Sequence, residues 1–168
     1  MKKRPFNLQT LAADVHSTAV AKGWWTVPRS GPEILALVLS EVGEAVECVR
    51  NRELTAATEA DGKPIGLPSE IADVVIRLLD FAGSKGYFVR AQPLRLPSET
   101  KRLRASTPLA GLSYIAKEIT AGYEVDINTA VGFCFAYAKT HGFDLWQALK
   151  DKTAYNKLRA FRHGNKAA

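Results

Sequence analysis

The chain has 168 residues, 46% of them hydrophobic and 24% charged, with a formal net charge of +6. That length is about one domain, expected to bury roughly 70% of the surface its unfolded chain exposes, and the composition excludes a disordered chain. The basic start "MKKRPFNLQT" leads into no continuous apolar run and no uncharged stretch approaches the ~20 residues that span a bilayer, so a single cytoplasmic domain over residues 1–168, without a membrane partner, is expected.

Helical periodicity dominates and strand alternation is almost absent, which makes the class all-α, a helical bundle. Asn7 is placed to cap a first helix that stops near "AKGWW", where Gly23 suits a helix end. In "RSGPEILALVLSEVGEAVECVRNR" Ser30 and Glu33 have capping-box spacing and Pro32 falls in the first turn. Ile34, Leu37, Val38, Val42, Ala45 and Val49 give this second helix one apolar side. The polar stretch from Arg52 to Leu67 reads as loop, and Pro68 and Ser69 open a third helix running to about Ser84. Residues of about 88–106 hold two prolines and many cations and read as a linker or mobile loop. An additional helical hairpin at about 107–141 follows, with helices near Pro108–Gly122 and Asp126–Thr140, and a last helix starts after Asp144. Cys48 and Cys134 fall at apolar helical positions far apart, as buried free thiols do.

The chemistry is concentrated in "LSEVGEAVECVR" and "PSEIADVVIRLLDF". Residues three apart on a helix share a face, with Cβ atoms about 5–6 Å apart, so Glu41 converges with Glu44, and Glu70 with Asp73. A lone pair of this kind is ordinarily the solvated face of an amphipathic helix. Two pairs in apolar settings, joined by a loop long enough for antiparallel packing, put four carboxylates in one small volume. They repel unless they are protonated, solvated or bound to a cation. Hard oxygen ligands suit Mg2+ or Mn2+, and magnesium takes substrate phosphates among its remaining ligands. Glu47 reads as a surface partner of Arg50. A di-iron bundle needs Glu-x-x-His pairs, and none of His16, His141 or His163 has a glutamate three residues before it.

"EVGEAVE" followed by "PSEIADVVIRLLDFA" resembles the ExxE…ExxD signature of the MazG-like all-α nucleoside triphosphate pyrophosphohydrolases. The C-terminal "KTAYNKLRAFRHGNK" is similar to the "K..YN..R...HG.K" ending of small members of that superfamily, and "KGWW" and "IRLLDFAG" fit as well. The likeness covers about residues 8–87 and 142–166. It implies magnesium-dependent cleavage of a nucleoside triphosphate, often a deoxynucleotide, between the α and β phosphorus atoms, with Glu41, Glu44, Glu70 and Asp73 as metal ligands. It also implies a homo-oligomer, with a dimer expected. A metal-bound water is the nucleophile such chemistry needs, and Glu41 or Glu44 is the candidate catalytic carboxylate that orients or deprotonates it. Charge on the phosphates needs donors. Lys152, Tyr155, Asn156, Arg159, Arg162, His163 and Lys166 supply them, the first four recurring along one helix face. Trp24 or Trp25, of which Trp25 is preferred, and His16 are the candidate base contacts.

"LLDFAGSKGY" and "CFAYAKTHGF" share an aromatic-Ala, a lysine and a Gly-aromatic element at an offset of 56, which reads as a degraded internal copy. In that copy Asp126 stands opposite Glu70 and Glu118 opposite Glu41. The cations gather at Lys2–Arg4, Arg90–Arg104 and Lys150–Lys166, which allows a second reading as a nucleic-acid-binding module. That reading leaves the buried acids unexplained, and an anionic cluster facing a polyanion works against it.

Overall fold

The computed structural model describes residues 6–93, 103, 106–121 and 126–162. The expectations for Lys2–Arg4, most of the basic segment before Ser106, His163 and Lys166 lie outside the described residues. Among those residues six helices are joined by one small ribbon: α1 (Leu8–Ala21), α2 (Gly31–Arg50), β1 (Ala57–Thr58), β2 (Pro64–Ile65), α3 (Leu67–Lys85), α4 (Pro108–Thr120), α5 (Ile127–His141) and α6 (Leu145–Leu158). None of these helices is long and apolar enough to cross a membrane.

The helix starts follow local chemistry. Asn7 and Ser30 each form a capping box, with Thr10 and Glu33 respectively, and Thr107, Asp126 and Asp144 accept from the first free amides of α4, α5 and α6. The 52–67 stretch is more ordered than a plain loop. β1 and β2 pair antiparallel, Leu67 donates to Glu53 O at 2.8 Å, and Gly66, at φ 89, lies where a Cβ would strike Thr55 O. This knot folds the chain back and sets α3 against α2.

α3 is the hub, packed by α1, α2, α5 and α6, while α4 covers α2 and pairs with α5. Twelve of its 19 residues are buried, so an acid on it has few routes to water. Ile71, Leu78 and Leu79 are fully enclosed, each worth about 1.5–3 kcal/mol of transfer free energy. The 88–106 reading as a linker needs correction where it is described. Val89 and Leu103 are core residues, Arg90 N donates to Asn128 Oδ1 at 2.9 Å, and Leu8 N donates to Ala91 O at 3.0 Å. Both cysteines are buried free thiols.

The internal echo has a structural counterpart in the helix ends. α3 and α5 both stop on a left-handed glycine, Gly86 at φ 67 and Gly142 at φ 78. The aromatic that follows donates back to an alanine carbonyl, Tyr87 to Ala82 at 2.9 Å and Phe143 to Ala138 at 3.1 Å. Asp126 caps α5 and Glu118 lies outside the acidic cavity described below.

Candidate metal and phosphate site

α2 and α3 run antiparallel, with Glu41 level with Arg77 and Glu44 level with Glu70. Glu41, Glu44 and Glu70 each offer a carboxylate oxygen, and these atoms lie within 4.8 Å of one another. Glu41 and Glu70 are buried and Glu44 is exposed, which leaves the group one open side. The donor set, three carboxylates with a face toward solvent, fits a hard divalent cation that keeps water or phosphate ligands. Asp73, expected as the fourth ligand, turns to Lys152 instead, with Nζ 2.8 Å from Asp73 Oδ2. Arg77 Nε donates to Glu41 Oε1 at 2.5 Å.

Burial pushes the Glu70 carboxyl up to about 7, and the charges of Asp73, Glu44 and Glu41 add to this against the pull of Lys152. Burial likewise raises Asp73 to about 6, with Glu41 adding and Lys152 opposing, so the Asp73–Lys152 pair is ionised at neutral pH. For Lys152 burial works downward, but Asp73, Glu70 and Glu41 outweigh it and its pKa ends above the usual lysine value. The cluster therefore strains against its own charge when no metal is bound.

A cavity of about 410 Å³ opens from these acids and runs along α3 past Arg77 to Asp80. Lys22, Arg29, Lys63, Lys157 and Arg159 also line it, together with Asp14, Asp80 and an apolar wall that includes Leu11, Val15 and Ile76. Two buried polar atoms of cavity-lining residues have no hydrogen-bond partner among the described residues, Arg29 Nη2 and Asn156 Oδ1. Such atoms are costly to leave unpaired, and they present one donor, Arg29 Nη2, and one acceptor, Asn156 Oδ1.

The tail residues divide. Asn156 and Arg159 line the cavity. Lys152 also borders it, but its ammonium is spent on Asp73, on Ser69 Oγ at 2.8 Å and on Pro64 O at 3.4 Å. Tyr155 points elsewhere, its hydroxyl donating to Asp61 Oδ2 at 3.3 Å. Arg162 grips the end of α1 through Gly23 O at 3.1 Å and Thr26 Oγ1, while Lys22 Nζ holds Arg159 O at 2.5 Å. Phe161 fills the space over Gly23, which is at φ 80 and has no room for a Cβ. Gly23→Ala is thus expected to release residues 159–162. A backbone strain of about 1–2 kcal/mol predicts roughly tenfold faster tryptic cleavage after Arg159, read by mass spectrometry at a temperature where the remainder stays folded.

The aromatic pair also divides. Trp24 lines the cavity, with the Arg29 guanidinium 5.7 Å from its ring centroid. Trp25 donates from Nε1 to Asp80 at 2.9 and 3.1 Å, and His16 Nδ1 lies 2.8 Å from the same carboxylate. His16 and Trp25, the expected base contacts, are therefore held beside the cavity by Asp80, while Trp24 lines it. Arg77 and Asp80 were missed from sequence. Their signal is the spacing Asp73, Arg77, Asp80, one charged stripe along an apolar helix.

Comparison of the chain with protein-family models, with curated proteins and with solved structures finds no match in any of the three.

Proposed function

We propose that the protein is a magnesium-dependent nucleoside triphosphate pyrophosphohydrolase, releasing a monophosphate and pyrophosphate. The observation that carries this reading is the convergence of Glu41, Glu44 and Glu70 at one end of a cavity also lined by Lys22, Arg29, Arg77, Lys157 and Arg159. The three carboxylates would hold Mg2+ or Mn2+, which supplies a polarised phosphoryl group and a water of lowered pKa. Glu44, the exposed member, is the carboxylate best placed to take a proton from an incoming water. Arg159, which lines the cavity, and the Nδ2 amide of Asn156 would supply donors to the negative charge that builds on the leaving phosphates. Trp24 gives the cavity an aromatic wall for stacking a base.

A screen of the eight common ribo- and deoxyribonucleoside triphosphates with Mg2+, reading pyrophosphate, tests the proposal. Metal-dependent release that stops with EDTA is expected. Release of orthophosphate, or no release from any of the eight, would refute it, and a salt-sensitive DNA or RNA shift indifferent to Mg2+ would favour the nucleic-acid reading.

A further inference from the structure

We infer that Arg77 is an exchangeable counter-ion: it neutralises Glu41 in the metal-free protein and moves to the phosphate chain when metal and triphosphate enter. This rests on the pyrophosphohydrolase reading above and assigns a residue that reading left without a role. Glu41 serves two partners. It belongs to the three-carboxylate group, and it accepts the 2.5 Å bond from Arg77 Nε. A guanidinium bonded so closely to a metal-ligating carboxylate repels an arriving cation, so the two compete for one side chain.

The pair is built asymmetrically. Glu41 is 6% exposed and fixed on α2, whereas the Arg77 side chain is 39% exposed and lines the cavity. Only Nε is engaged among the described residues, leaving both terminal nitrogens of the fork without a protein partner there. Those nitrogens carry the donors that match phosphate oxygens bidentately. Lys152 shows what a permanent counter-ion looks like in the same cavity: 4% exposed, and held by Asp73, Ser69 and Pro64 together.

Exchange keeps every charge paired. The metal replaces Arg77 at Glu41, and the phosphate replaces Glu41 at Arg77, so no step leaves a buried charge alone. Metal and triphosphate then favour each other's binding beyond their direct contact, because each frees the partner the other needs.

The test uses full-length protein with Mn2+ alone, read by electron paramagnetic resonance, and inorganic tripolyphosphate alone in EDTA, read by calorimetry. Neither probe depends on knowing the base. Arg77→Met is expected to bind Mn2+ roughly tenfold tighter and tripolyphosphate roughly tenfold weaker than wild type. Arg77→Lys, which keeps the charge, is expected to stay near wild type for Mn2+, and Arg77→Gln substitutes for the methionine variant should that one not fold. Unchanged or weaker Mn2+ binding by Arg77→Met, unchanged tripolyphosphate binding, or equal tightening by Arg77→Lys would overturn the exchange. Wild-type protein that binds no Mn2+ would bring down the metal reading and this inference together; wild type that binds Mn2+ beside variants that fail would overturn the exchange alone.

Discussion

Glu70→Gln is expected to lower triphosphate turnover at least a hundredfold while making the metal-free protein more stable at pH 8. Loss of a group that merely supports a metal ligand costs about 10–100-fold, so loss of a ligand should cost more. The stability gain has a separate cause. Burial disfavours the Glu70 carboxylate first, Asp73, Glu44 and Glu41 add repulsion, and a neutral amide removes both costs. The neighbouring acids respond differently because each has its own counter-charge. Glu41→Gln should cost as much activity but give no gain in metal-free stability, since it also dissolves the Arg77 pair. Asp73→Asn leaves the Lys152 ammonium, in a residue only 3% exposed, with Ser69 and Pro64 but no bonded anion, only the more distant charges of Glu70 and Glu41. Breaking a buried pair from one side costs about 3–5 kcal/mol, so this variant should melt roughly 10 °C lower, at about 2–4 °C per kcal/mol for a chain of this size. Melting curves in EDTA beside pyrophosphate assays in Mg2+ read all three. Equal melting temperatures for the three variants would remove the electrostatic account of the cluster.

What the sequence made legible here is what local chemistry decides. The capping boxes at Asn7 and Ser30 sit in their own turns, and the spacing of Glu41 and Glu44 converges on any helix, whatever packs against it. The departures come from partners distant in sequence. Asp73 and Glu70 lie on one helix face, and the packing of α6 on α3, which delivers Lys152, separates the ion-paired acid from the one left in the three-carboxylate group. Trp24 and Trp25 are adjacent and indistinguishable by composition. Asp80 chooses between them by accepting the Trp25 indole N–H, and it takes His16 by the same means. The repeat of "LLDFAGSKGY" in "CFAYAKTHGF" expresses a shared way of ending a helix, a left-handed glycine followed by an aromatic whose amide turns back. The same cap chemistry needs no acids, and the second hairpin serves α2 and α3 as packing.

The metal-free protein is expected to lose stability as pH rises from 5 to 8, opposite to the trend of a protein held by ordinary ion-paired carboxylates. Glu70 ends near 7 in the folded state against an ordinary value of 4.5. Its folded pKa is raised, so the folded chain holds a proton that the unfolded chain has already released. The resulting stability is fully present below about 4.5, falls across the window to about 7, and is gone above it. One carboxyl moved that far is worth about 3 kcal/mol, or roughly 10 °C in melting temperature. Asp73, raised to about 6, falls in the same direction over a narrower window. Subtracting the melting curve of Glu70→Gln at each pH isolates the Glu70 share from all other titrations. With Mg2+ bound the slope should flatten, because the ion binds only the ionised carboxylates and its stabilisation, growing up to about pH 7, offsets the loss. A difference curve flat from pH 5 to 8 in EDTA would mean that neither burial nor the charge of its neighbours disfavours the ionised Glu70, and the physical reason for a cation at this site would be lost.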